Sequence, residues 1–317
     1  MKNTKIFIAG HEGMVGSSLL EELNENQYTN ILTKSHLDLD LTRQLDVEKF
    51  IKENKPEVVI IAAAKVGGIK ANDTYSAEFI YQNIMIAVNL INSCFIADVN
   101  KIIFLGSSCI YPKFSNQPVS EDELLTGKVE STNEAYAIAK IAGIKLCQFY
   151  NKQYGTKYIS LMPTNTYGPR DNFDLENGHV ISGLINKFHH AKVNSLSHVD
   201  VWGSGNQSRE FIFVRDIAKS IHYILKKIIQ DDDQELIKNN LINIGTSEEV
   251  TIKQLAYLIR DIVEFKGDIN FDTTKPDGTI RRVLNSKIIN ELGWNLSISL
   301  EDGLRLTYEW YLKSINN

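Results

Sequence analysis

Lys5-Ile-Phe-Ile-Ala9-Gly10-His-Glu-Gly13-Met14-Val15-Gly16-Ser17 decides how the rest of the chain is read. Residues 5–9 form a short apolar run of the kind that makes a strand buried on both faces. Three glycines at intervals of three follow, and from Ser17 to Asn24 the apolar spacing becomes helical. Strand, glycine turn and helix, in that order, are the context in which such a turn binds a dinucleotide. Backbone without Cβ atoms can approach a pyrophosphate, which the free N–H groups and dipole of a helix amino terminus favour. The spacing G-x-x-G-x-x-G differs from the commoner G-x-G-x-x-G, and in isolation an ordinary tight βα connection would look the same. Here it opens a long alternation of apolar runs and helical periods. That context predicts an α/β fold with a Rossmann-type, doubly wound parallel sheet.

Asn30-Ile-Leu-Thr-Lys34 reads as the second strand. Lys34 and His36 then stand where an adenosine ribose would lie, just ahead of Asp40 and Leu41. Basic groups there suit a 2′-phosphate and favour NADP(H), whereas Glu12 opposes it; a solvated strand-end charge is the plainer reading of Lys34. Glu57 to Ala62 is the third strand, running into Ala62-Ala63-Ala64-Lys65-Val-Gly67-Gly68. Small residues there would let a cofactor lie against the backbone, or simply pack tightly. Phe79 to Phe95 reads as a long helix whose small and apolar positions serve the core or a partner helix in a homodimer.

Lys101 to Leu105 is the fourth strand, entering Gly106-Ser107-Ser108-Cys109-Ile110-Tyr111-Pro112 at its carboxyl end, where open α/β sheets bind ligands. Downstream, Tyr136 and Lys140 lie four residues apart in an Ala-rich helical pattern, on one face. A phenol beside a fixed ammonium is expected to have its pKa lowered toward working pH, so it can exchange a proton with a carbonyl or alcohol. Ser107 could hold the same oxygen. Tyr-x-x-x-Lys alone is common on surface helices; the Ser-Ser pair and the glycine turn give it weight.

Residues 113–133 are polar and read as a loop over the site. Lys157 to Met162 is a strand, and the turn-rich Pro163-Thr-Asn165-Thr166 to Asn172 ends the continuous alternation. A helix follows Gly178-His179-Val-Ile181, then a strand and turn through Val201, Trp202 and Gly205. Trp202 could stack on a base and Arg209 could clamp a diphosphate; a core Trp and an Arg209 paired with Glu210 or Asp216 are the alternatives. Phe213 to Ile229 is helical, Asp231 to Glu235 a solvated acidic loop, Leu241 to Gly245 a strand, Thr251 to Val263 a helix. Lys275-Pro-Asp277-Gly278 and Arg281-Arg282 form a basic turn before a helical end. This predicts a cofactor domain of residues 1–165 plus about 211–245. A smaller mixed α/β substrate-binding domain takes about 166–210 and 246–317.

A 317-residue chain with 43% hydrophobic residues can bury such a core, and a net charge of −5 leaves no basic footprint for nucleic acid. Met1-Lys-Asn-Thr leads straight into a strand, so no signal peptide is expected, and no apolar run approaches the roughly 20 residues of a membrane span. Cys94, Cys109 and Cys147 are odd in number and lack CxxC spacing, which indicates neither disulfides nor zinc and fits a reduced cytoplasm. His189-His190 has no set of metal partners, so no metal is expected.

With these motifs assembled, the chain resembles the extended short-chain dehydrogenase/reductases over nearly its whole length, and within them the GDP-L-fucose synthase family. The marks are Gly10-His-x-Gly-Met-Val-Gly16, Ala62 to Gly68, Gly106 to Pro112, Tyr136-Ala-Ile-Ala-Lys140-Ile-Ala-Gly143, Pro163-Thr-Asn165 and Lys275-Pro-Asp-Gly278. The resemblance implies NADPH-dependent reduction of the C4 ketone of a GDP-linked 4-keto sugar, coupled to epimerisation at C3 and C5. It implies Ser107, Tyr136 and Lys140 as the reductase triad and Cys109 with His179 as the acid/base pair. Gly10, Gly13, Met14, Val15, Gly16, Lys34, His36, Asp40, Leu41, Ala63, Ala64, Lys65, Leu105, Gly106, Tyr136, Lys140, Pro163, Asn165, Thr166 and His179 would contact the cofactor. Ser108, Cys109, Asn165, Lys187, Val201, Trp202, Arg209, Lys275 and Asp277 would contact the nucleotide sugar.

Chemistry supports a base at Cys109 independently, since a 4-keto group acidifies C3 and C5 and a poised thiolate could take a proton there. Ser182, Phe213, Arg215 and Thr166 depart from the family pattern near the expected sugar pocket. A C4 reductase acting on a GDP-4-keto heptose without epimerisation is therefore the alternative. A 4,6-dehydratase would want Asp-Glu in place of Ser108-Cys109, and a nucleotide-sugar 4-epimerase would retain NAD.

Overall fold

In the computed structural model, which describes residues 1–174, 178–230, 236, 238–275 and 280–316, the apolar runs become strands of one parallel sheet. They are β1 (Ile6–Ala9), β2 (Ile31–Thr33), β3 (Val58–Ile61), β4 (Lys101–Leu105) and β5 (Lys157–Pro163). Short strands β6 (Asn165–Tyr167), β7 (His198–Trp202), β8 (Ser208–Arg209) and β9 (Phe211–Phe213) precede the sixth member of the sheet, β10 (Leu241–Ile244). The order across the sheet is β10-β5-β4-β3-β1-β2, six strands among the described residues. The chain leaves β1 toward β2 and returns to β3 on the other side, so the switch point lies between β1 and β3.

Alternation along each strand explains why both faces are apolar. Ile6, Ile8, Val58, Ile60, Ile103 and Ile159 join one buried cluster; Phe7, Ala9, Val59, Ile61, Ile102 and Phe104 join another on the opposite face. Helices α1 (Met14–Glu25) and α7 (Val214–Gln230) cover the first face through Leu19, Leu23, Ile217 and Ile221. On the other face lie α2 (Gln44–Asn54), α4 (Ser76–Ile96) and α5 (Glu134–Tyr154), bringing Val47, Ile51, Leu90, Ile91, Ile144 and Cys147. This is a doubly wound fold, as expected.

A third cluster gathers Tyr167, Ile181, Ile185, Phe188, Phe213, Leu255, Ile259 and Tyr308. It joins α6 (Val180–Val193), α8 (Ile252–Val263) and α10 (Leu300–Ile315), with β7 paired to β12 (Asp268–Asp272). Thr251 caps α8 in a reciprocal box with Gln254, the local signal that fixes where that helix starts. Ile289 and Trp294, on and just after α9 (Lys287–Glu291), return to the first sheet cluster.

Three details differ from the sequence reading. A short helix, α3 (Ile69–Thr74), precedes α4. Arg281-Arg282 is not a turn but a strand, β13, parallel to β8, which also pairs with β11 (Val250–Thr251). Finally, α4 is long and apolar enough to cross a membrane by length and composition alone, contrary to the expectation that no run approached this. Its Phe79, Ala87, Leu90, Ile91 and Cys94 are buried in the protein. The acidic stretch 231–235 and Asp277 lie outside the described residues.

Candidate active site

At the switch point the glycine turn is close to backbone. Gly10 has φ +90°, and a Cβ there would meet the Ala63 nitrogen at 2.6 Å; a Cβ on Gly16 would lie 2.1 Å from the Gly10 carbonyl oxygen. Ala62 and Ala63 therefore sit against the turn, as a cofactor cradle requires. Gly13 caps α1 without a side-chain partner, leaving Met14 and Val15 in its first turn with N–H groups directed at the loop. These residues fit a dinucleotide pyrophosphate. Lys34 and His36 are exposed at the tip of β2. Asp40 accepts from the Thr42 N–H and hydroxyl, bonds that hold its carboxyl below the usual range, and the Leu41 carbonyl accepts from Asn89 at 2.9 Å.

The loop after β4 carries the reacting groups. Ser107 caps a short 3₁₀ turn over Ser108–Ile110, its Oγ accepting from the Cys109 N–H at 3.4 Å. Across from it, α5 approaches β4 closely because Gly143 faces Phe104; a Cβ there would sit 2.6 Å from the ring. One turn earlier, Lys140 reaches through to donate from Nζ to the Leu105 carbonyl at 2.7 Å, with its ammonium 4.9 Å from the Phe104 ring centre and 5.7 Å from that of Tyr136. Lys140 is 4% exposed, and burial pushes its pKa down to about 8. Burial also raises the Cys109 thiol, against the Ser107 hydrogen bond and the charges of Lys140 and Arg282 that pull it down.

Two expectations are corrected here. Tyr136 is not lowered: burial first and negative charge at Cys109 second raise its phenol. Lys140 turns its ammonium to the Leu105 carbonyl, so sharing a helix face did not give the phenolate a close partner. Nor is Cys109 a poised thiolate in this state, for the desolvation reason just given.

The loop after β5 supplies the next group. Asn165 is exposed, its amide donating to the Glu210 carbonyl at 2.9 Å, and Thr166 bonds back to the Thr164 carbonyl, just past Pro163. His179 precedes α6, with Nδ1 3.0 Å from Asp171 Oδ1. That hydrogen bond raises the imidazole pKa, against a burial effect that lowers it. Asp171 was not recognised from sequence, because its partner lies eight residues away across a loop.

Farther out, Trp202 is 65% exposed rather than core, with Lys187 Nζ 5.4 Å and Lys275 Nζ 5.7 Å from its ring centre. An exposed indole flanked by two ammoniums can stack a base and meet phosphates. Val201, by contrast, is 3% exposed and packs in the third cluster. Lys65 also points away from such a role, pairing with Glu78, while Asn83 holds its backbone at both N–H and carbonyl.

Along β13 the side chains alternate: Arg281 is exposed and pairs with Glu249, whereas Arg282 is 9% exposed. Arg282 lies in register beside Arg209; burial lowers the pKa of both guanidiniums, and the charge of Arg282 lowers that of Arg209 further. Its sequence signal was only a doublet of arginines. Glu210 does not pair with Arg209; its buried carboxylate accepts from the Leu284, Thr246 and Ser247 N–H groups. Asp216 accepts from Ser297 and Ile298. Among the residues that depart from the family pattern, Phe213 is buried against Tyr167, Arg215 pairs with Glu25 on α1, and Ser182 bonds the His179 carbonyl. Phe213 thus serves packing and Arg215 a surface ion pair.

Residues 6–245 match the NAD dependent epimerase/dehydratase family. The chain is 51% identical over 316 residues to GDP-L-fucose synthase 1 of Arabidopsis thaliana, covering 100% of this chain and 95% of that protein. It is 47% identical over 317 residues to GDP-L-fucose synthase of Escherichia coli, covering 99% and 98%. Among solved structures it resembles a GDP-mannoheptose C4 reductase from Campylobacter jejuni with NADP bound. The TM-score is 0.89 at 38% identity, covering 98% of this chain and 99% of that one.

Proposed function

The chain belongs to the NAD dependent epimerase/dehydratase family, and from that premise we propose that it converts a GDP-linked 4-keto-6-deoxymannose to the GDP-L-fucose type of product, inverting C3 and C5 and reducing C4 with NADPH. NADPH, when bound along the glycine turn, supplies the hydride for C4. The cofactor unit is residues 1–165 with about 211–245, onto which α9 packs back, and the sugar unit about 166–210 with 246–317.

Within the site the chain's own groups divide the work. Cys109, whose thiol must first ionise against its burial, takes as thiolate the proton from a carbon beside the ketone, and the electron pair moves onto the carbonyl oxygen. Ser107 and Tyr136 hold that oxygen. His179 returns a proton to the opposite face, and Tyr136 later gives its proton to O4. Lys140 holds the Leu105 carbonyl and so fixes the loop beneath them. Trp202 stacks the guanine, while Lys187, Lys275, Arg209 and Arg282 meet the diphosphate.

The observation that carries this reading is the single short loop on which Ser107 and Cys109 are tied together, directly over the buried Lys140. Purified protein given the GDP-4-keto sugar in D₂O without NADPH should wash deuterium into C3 and C5, and Cys109→Ser should stop that while reduction of the unepimerised ketone persists. Reduction by wild type with no exchange at either carbon would leave a C4 reductase only. The likeness to a GDP-mannoheptose C4 reductase supports that second reading, with a GDP-4-keto heptose as substrate.

A homodimer in the cytoplasm completes the proposal. Exposed Tyr81, Val88, Ile96, Phe149 and Tyr154 on α4 and α5 support pairing of two copies, and three unpaired cysteines support a reducing compartment.

A further inference from the structure

We propose that Asp171 is a positioning residue for the acid/base step: its buried carboxylate holds the His179 ring so that Nε2 is the nitrogen that exchanges protons with the sugar. The inference rests on the reading of His179 as the acid.

Three features carry it. First, Asp171 Oδ1 already accepts from the Asn172 N–H at 2.8 Å, so it also acts as an acceptor toward His179 Nδ1 at 3.0 Å. Nδ1 then bears the hydrogen, and Nε2 is left for chemistry. Second, the Asp171 side chain is 4% exposed while that of His179 is 44% exposed, so the carboxylate is the fixed member and the ring faces outward. Third, Oδ2 of Asp171 is buried with no hydrogen-bond partner among the described residues. A carboxylate half unsatisfied in the interior is costly to keep, which argues for a role beyond stapling a loop. The turn itself is constrained, with Arg170 at φ +65° and the Asp171 N–H bonded to the Gly168 carbonyl at 3.3 Å.

In the step, protonated His179 gives the Nε2 proton to the carbanionic carbon of the enolate, forming a C–H bond and leaving neutral imidazole with Nδ1–H still on Asp171. Solvent then restores the Nε2 proton. The carboxylate stabilises the imidazolium, consistent with the raised pKa of His179; among the described residues Asp171 is the charged group acting on that ring.

Asp171→Asn, Asp171→Ala and His179→Asn test this by deuterium wash-in without NADPH across pH. Asn keeps a neutral acceptor and loses the charge. Asp171→Asn should therefore move the limb governed by His179 to lower pH and slow exchange on the order of 10²-fold, the low end for a positioned acid. Its KM and its NADPH affinity should be unchanged. Asp171→Ala should lose orientation as well and exchange more slowly still; if it does not fold, Asp171→Asn carries the test. Wild-type exchange and an unmoved limb in folded Asp171→Asn would overturn the inference. Wild-type exchange in His179→Asn would instead sink the reading of His179 on which it rests.

Discussion

Arg282 is the residue whose replacement separates binding from stability most cleanly. Its guanidinium carries five donors, yet among the described residues it makes one hydrogen bond, from Nη1 to the Pro112 carbonyl at 3.2 Å. Its nearest carboxylate influence, Glu130, is already held by Lys113 at 2.9 Å, and Arg209 stands beside it as a like charge. Burying an ion without a partner costs several kcal/mol. Arg282→Met keeps most of the stem, removes that penalty and the repulsion, and forfeits one charge-assisted hydrogen bond of about 1.5–3 kcal/mol. The melting temperature of the free protein should stay within about 3 °C of wild type or rise.

Binding should move the other way. A diphosphate bridging Arg209 and Arg282 would satisfy the donors that Arg282 leaves unused, with charge-assisted hydrogen bonds of about 1.5–3 kcal/mol each. Losing one weakens affinity roughly 10- to 150-fold, since about 1.4 kcal/mol is a factor of ten. Calorimetric titration with GDP and, separately, guanosine gives the answer: the loss should appear with GDP and be absent with guanosine. Equal losses for both ligands, or a melting temperature down by many degrees with GDP affinity intact, would mean that Arg282 is structural.

Tyr136→Phe should slow C4 reduction by about 10²–10⁴-fold with NADPH affinity nearly unchanged, and turnover within threefold of wild type would remove Tyr136 from the proton-donor role. Lys34→Ala should weaken NADPH more than NADH by fluorescence titration; equal weakening would show that Lys34 does not read the 2′-phosphate. Reduction needs the Lys140 ammonium, whose pKa burial has lowered to about 8, so reduction should fall as pH rises through that value. Exchange needs both the Cys109 thiolate, whose pKa burial has raised, and protonated His179. Its alkaline limb should therefore shift in Asp171→Asn while that of reduction stays; a reduction limb that shifts with it would place both losses on one group.

What the sequence could and could not convey follows from how far apart the interacting residues lie. The start of the sheet was legible because β1, β2 and β3 are short apolar runs each followed by a helix, patterns contained in ten or fifteen residues. The catalytic loop was legible for the same reason: Ser107 and Cys109 are two residues apart. Strand β13 was not, because two residues carry no period, and Arg282 matters only through its register with Arg209 on β8. The Tyr136 pKa was misjudged for a related cause. Spacing on a helix fixes which side chains share a face, but not which acceptor claims the ammonium, and the Leu105 carbonyl on β4 belongs to a different element. Pairings within an element are written in its period, whereas those between elements depend on approach distances such as that of Gly143 to Phe104. A side chain at Gly143 would therefore push α5 from β4 and withdraw Lys140 from the loop without touching a reacting group.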